Sequence, residues 1–67
     1  MSTPTEYARR RARETGKLYA VWSVDGADQQ WAASWSRVNQ REYRARGATR
    51  VDIYDKGGWR TGRDARD

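Results

Sequence analysis

Cysteine and histidine are both absent from this 67-residue chain. Without cysteine there are no disulfides, no thiolate zinc sites and no thiol chemistry. Without histidine the commonest general base and transition-metal ligand is missing. Phenylalanine is absent too, and the single proline is Pro4. No apolar run approaches the roughly 20 residues that span a bilayer. The arginines near the N-terminus are not followed by an apolar segment, so no secretory signal is read and a cytoplasmic location is expected.

What the chain does have is large aromatics: four Trp and four Tyr. A chain this short forms one domain, 1–67, that buries only about 60% of its unfolded surface. Each large aromatic can bury on the order of 150–250 Å², so a few supply most of a small core. Trp22, Trp31 and Trp35 are the expected core. The second excess is positive charge: the net value is +5, and twelve of the fourteen cations are arginine. That balance favours polyanionic partners. The preference for arginine fits either bidentate phosphate contacts or a GC-rich genome.

"STPTEYARRRARETG" carries helix signals at both ends: Thr3 as N-cap, Pro4 in the first position, Glu6 completing a capping box and Gly16 as stop. The predicted helix, about 4–15, has only Tyr7, Ala8 and Ala12 as an apolar stripe. Four arginines against two glutamates surround it. Residues 1–16 are therefore a candidate mobile basic helix, ordered by docking.

"KLYAVWSV", residues 17 to 24, alternates as a central strand and stops at Asp25-Gly26. Two readings compete for the segment after that turn. Asp-Gly with alternating Trp31, Ala33 and Trp35 describes a hairpin. "ADQQWAAS" is rich in Ala and Gln, and Ala27, Trp31, Trp35, Val38 and Ala45 share a sector of about 80° on a helix. One long helix, about 27–46, is the preferred reading, and residues 37 to 46 are helical under both. "TRVDIYD" is a second strand, "KGG" a turn, Trp59 to Thr61 a short returning strand, and 62–67 a solvated tail. The expected fold is α+β: a two- to three-stranded sheet against the long central helix, with the N-terminal helix alongside.

Arg37, Arg41 and Arg44 recur at i, i+4 and i+7, which aligns them on one helix face. Residues 37 to 50 hold five arginines and one glutamate. Like charges stacked this way repel by a few tenths of a kcal/mol per pair, and a polyanion would offset that cost. The plainer reading is a solvated helix face opposite the tryptophans. Asn39, Gln40 and Tyr43 flank the row and could bond phosphates or base edges. Trp59 lies in "DKGGWRTGR" beside Lys56, Arg60 and Arg63; it either caps the core or stacks on an unpaired base.

Catalytic readings fail. Asp52 and Asp55 in "VDIYDK" fall on opposite faces of a strand, whereas metal-assisted hydrolysis needs convergent ligands. "GGWRTGR" lacks P-loop spacing. No helix-turn-helix, zinc or RNP signature is present. The expectation is a non-enzymatic nucleic-acid-binding protein without cofactors. Its contacts would be Arg37, Gln40, Arg41 and Arg44, with Arg9, Arg10 and Arg13 as an accessory arm and Trp59 and Arg60 adjoining. The rival is a small inhibitor or adaptor of phage or mobile-element type that docks an acidic protein surface through Arg, Trp and Tyr. A homodimer is compatible with either. Contiguous exposed aromatics would favour the rival; buried aromatics with free-standing arginines would favour nucleic acid.

Overall fold

The computed structural model describes residues 3–26 and 29–65. It has helix α1 (Pro4–Thr15), strands β1 (Tyr19–Ser23) and β2 (Gln30–Ser34), helix α2 (Arg37–Ala45), and strands β3 (Arg50–Tyr54) and β4 (Arg60–Ala65). The four strands form one antiparallel sheet in the order β2-β1-β3-β4. Because β2 and β3 both run antiparallel to β1, they are parallel to each other, and α2 carries the chain across β1 between them.

The α+β class is as expected, but the long central helix is replaced by a hairpin strand and a shorter helix. The turn after β1 is made at Asp25-Gly26, where Gly26 adopts φ 74° in the left-handed region that favours glycine. Residues 27 and 28, counted in the expected helix, lie outside the described residues. Beyond them β2 pairs Trp31 with Trp22 and Ala33 with Ala20. Helix preference for Ala and Gln over strand formers is worth tenths of a kcal/mol per residue, while burying large side chains is worth about 1.5–3 kcal/mol each. The burial term wins. Ser36 then restarts the helix as N-cap, its Oγ accepting from the Asn39 N–H at 3.2 Å.

Two further expectations are corrected. Val38, assigned to the buried stripe, is 72% exposed, and Ala45 is exposed as well. The stripe assumed a helix continuous with Trp31 and Trp35; once those residues sit on a strand, nothing directs Val38 inward. Residues 62–65, read as tail, belong to β4, which pairs with β3 from Arg50↔Ala65 to Tyr54↔Arg60. Polar residues suffice there because β4 is an edge strand held by its ladder. Thr61 is an extra residue between the Ile53↔Gly62 and Tyr54↔Arg60 pairs, a bulge beside the turn. Residues 66 and 67 lie outside the described residues.

The sheet is covered on both faces. On one, Ala20, Trp22 and Val51 are buried with Ala48, and Trp31, Ala33, Trp35, Tyr43 and Ile53 pack around them. Trp22 stacks on Trp35 (centroids 5.7 Å apart) and on Tyr43 (4.8 Å), and Tyr43 stacks on Trp31 (5.4 Å). On the other, α1 lies across β1 and β2, with Ala8 and Ala12 fully buried and Val21 1% exposed. Small residues let the helix backbone approach closely. Tyr19 shares that face and bonds Arg11, a contact that holds the arginine's pKa above its ordinary value. Both predicted caps are in place: Glu6 and Thr3 bond reciprocally, and Gly16 (φ 71°) closes the helix. Within the 1–16 segment read as a candidate mobile basic helix, Pro4–Thr15 packs on the sheet.

Tyr43 is the only α2 side chain in the aromatic stack. Tyr43→Ala is expected to lower stability by roughly 2–3 kcal/mol in urea denaturation, and Tyr43→Phe to stay within about 1 kcal/mol of the parent.

Candidate nucleic-acid interface

Helix α2 is held to the sheet along one side. Tyr43 enters the aromatic stack, and Asn39 Nδ2 donates to the Ser34 carbonyl and hydroxyl oxygens, both at 3.0 Å. At 100° per residue these two lie some 40° apart and define the inward direction. The geometry removes Asn39 and Tyr43 from the candidate phosphate or base contacts: one fastens the helix and the other fills the core.

Arg37, Arg41 and Arg44 occupy the opposite side and are exposed. With Gln40 they line an open depression of about 370 Å³. The sequence spacing thus becomes a convergent cationic surface. From Arg37 to Arg44 the helix rises about 10 Å. Neither Arg37 nor Arg41 forms an ion pair among the described residues. Glu42, the helix's one acid, is turned away and holds Arg46 at 2.7 Å. The Arg46 guanidinium also lies 5.4 Å from the Tyr43 ring centroid.

The accessory arm does not join this surface. α1 covers the other face of the sheet, and its arginines divide among three tasks. Arg10 pairs with Glu14 at 3.8 Å and lies over Tyr7. Arg9 donates through Nε to the Gly58 carbonyl at 2.8 Å, with its guanidinium 5.9 Å from the Trp59 centroid. Arg13 packs against Gly58. Arg9 and Arg13 therefore belong with Trp59 and Arg60 at the β3–β4 turn, on the sheet's far side from α2. Trp59, with core capping as its plainer reading, is 70% exposed. Helical spacing could not reveal this division, because it depends on which flank of α1 faces the turn.

The carboxylates of "VDIYDK" are engaged within the protein. Asp52 lies 3.7 Å from Arg50. Asp55 Oδ1 accepts from the backbone N–H groups of Gly57 (2.9 Å) and Trp59 (3.1 Å). This turn-organising role was missed in the sequence, although Asp two residues before Gly is its usual signal. Among the described residues no group of three or more acidic, His or Cys side chains is placed to hold a metal ion, and no helix is long and apolar enough to cross a membrane. Comparison with known protein families, curated proteins and solved structures finds no match.

The Arg37–Arg41 pair carries like charge at i, i+4. Arg41→Gln is expected to raise stability by about 0.2–0.5 kcal/mol in low-salt urea titrations, and the gain should vanish near roughly 1 M salt. A loss of stability instead would mean that Arg41 has a structural partner.

Proposed function

We propose that this protein is a non-enzymatic nucleic-acid-binding protein whose α2 surface grips backbone phosphates. One observation carries the reading: Arg37, Gln40, Arg41 and Arg44 line a single open depression. Supporting it, Arg37 and Arg41 have no intramolecular ion pair among the described residues. Guanidinium forks match phosphate oxygens in geometry and charge, and Gln40 adds a neutral donor. Phosphate contacts position a protein without reading sequence. Of the three flanking residues that could read base edges, Asn39 and Tyr43 are committed to the fold and Gln40 remains at the surface, which favours phosphate contact over base readout.

The rival reading, an adaptor or inhibitor that docks an acidic protein, is less well supported. It calls for several exposed and contiguous aromatics; the exposed ones, Trp59 (70%) and Tyr7 (39%), lie apart from the α2 row. Trp22 is buried, Trp31, Trp35 and Tyr43 are partly buried around it, and the residue beside the row that is most exposed and apolar is Val38. An isolated valine is a poor hot spot.

The test is a salt titration of duplex binding. Two phosphate contacts, from Arg37 and Arg41, predict a log–log slope of about −1.5 to −2, and Arg41→Ala should make it shallower by about one. A slope near zero, or no association at low salt, would reject the proposal.

A further inference from the structure

The β3–β4 turn is built as though to present one side chain. Asp55 anchors it: its N–H donates to the Trp59 carbonyl (2.9 Å), its carbonyl accepts from Gly58 N–H (2.8 Å), and its carboxylate takes the N–H groups of Gly57 and Trp59. Gly58 stands at φ 81°, a left-handed conformation that suits glycine. A Cβ on Gly57 would lie 3.2 Å from Trp59 Cδ1 and 3.3 Å from Asp55 Oδ1, so the bare glycine lets the indole lie close against the turn. From the side, α1 clamps the same turn through the Arg9–Gly58 hydrogen bond, and the Arg9 guanidinium lies over the indole. The turn is thus fixed by hydrogen bonds, two of them to the Trp59 backbone, and Arg9 lies over a ring that is nonetheless 70% exposed.

Core packing does not account for this arrangement, because Trp59 is outside the aromatic cluster on the α2 face. Its surroundings are cationic: Arg9 on the ring, Arg13 against Gly58, and exposed Lys56 and Arg60 on either side of the turn. No ion pair engages any of these four among the described residues. Asp55, the acid in the turn, has its Oδ1 occupied by two backbone donors. A held, accessible indole within a ring of positive charge matches a planar π-system that carries a phosphate.

We propose that Trp59, with Arg9, Arg13, Lys56 and Arg60, forms a second site that stacks an unpaired nucleobase of a single-stranded nucleic acid and holds its flanking phosphates. Arg9 occupies one side of the indole, and the base takes the exposed remainder, giving a guanidinium–indole–base sandwich. A base inside a duplex is already stacked on its neighbours, so this site discriminates against double strands. The proposal rests on the reading of the protein as a nucleic-acid binder, but not on the α2 row, which lies across the sheet.

The test uses the full chain with three probes: oligothymidylate, oligouridylate of equal length, and a duplex containing the oligothymidylate. Trp59→Ala is expected to weaken single-strand binding by about 5- to 150-fold while changing duplex affinity less than about two-fold. Trp59→Phe, which keeps a ring, should recover most of the loss. Arg37→Ala/Arg41→Ala should flatten the duplex salt slope by about two and leave the single-strand dependence on Trp59 intact. Equal single-strand affinity of Trp59→Ala and the parent, or an equal loss on single strand and duplex, overturns the site. If Trp59→Ala fails to fold, the parent supplies the readout: oligothymidylate should shift the indole N–H resonance of the most exposed tryptophan and shield it from acrylamide, and an unshifted, unshielded indole overturns the site. Loss of the Arg37/Arg41 effect alone removes the α2 reading and leaves this one standing. Failure of all three probes to bind at low salt removes both. The thymidylate and uridylate arms decide whether the strand is DNA or RNA.

Discussion

Trp22 is the side chain on which the fold depends. It lies at the centre of β1, is 1% exposed, and stacks on Trp35 and Tyr43. Through these contacts it joins β1 to the end of β2 and to α2. The arrangement has a cost: its indole N–H is buried without a partner among the described residues, a penalty of about 1–3 kcal/mol. Stacked aromatics contribute about 0.5–1.5 kcal/mol per pair beyond the area they bury. A 67-residue chain with neither cysteine nor histidine has few other ways to assemble a core.

This core also explains how the arginines come to be presented. Tyr43 and Asn39 hold α2 to the sheet, and none of its residues is buried. Most of the helix circumference is therefore open to solvent, and a row of three arginines lies on it without disturbing the packing. The same helix would gain little from a lone surface ion pair, which is typically worth about 0–1 kcal/mol. α1 solves a different problem. It buries two alanines, approaches the sheet closely, and so brings Arg9 and Arg13 within reach of the β3–β4 turn. One cationic group faces away from each side of the sheet, held by a helix of opposite character: one loosely seated, the other tightly.

Much of this was legible from local chemistry. The limits of α1 come from Thr3, Pro4, Glu6 and Gly16, each of which acts within a turn of itself. β1 comes from its alternation, and the convergence of Arg37, Arg41 and Arg44 from helical spacing. Residues 30–35 depart from expectation because Trp31, Ala33 and Trp35 satisfy a strand period while their neighbours favour a helix. Tyr43 and Asn39 depart from it for a related reason: a polar or aromatic side chain flanking a charged row looks the same in sequence whether it points to solvent or to the sheet.

The amino-acid order by itself determined the helix caps, the strand alternation of β1, the Asp-Gly turn and the angular position of the arginine row. These depend on backbone preferences and side chains within about four residues of one another. Only tertiary structure decided that 30–34 pair with β1, that Tyr43 fills the core, and that Arg9 meets Trp59 across 50 positions of chain. Those outcomes depend on burying indole rings against distant partners, and that term outweighs the few tenths of a kcal/mol per residue by which local propensities differ.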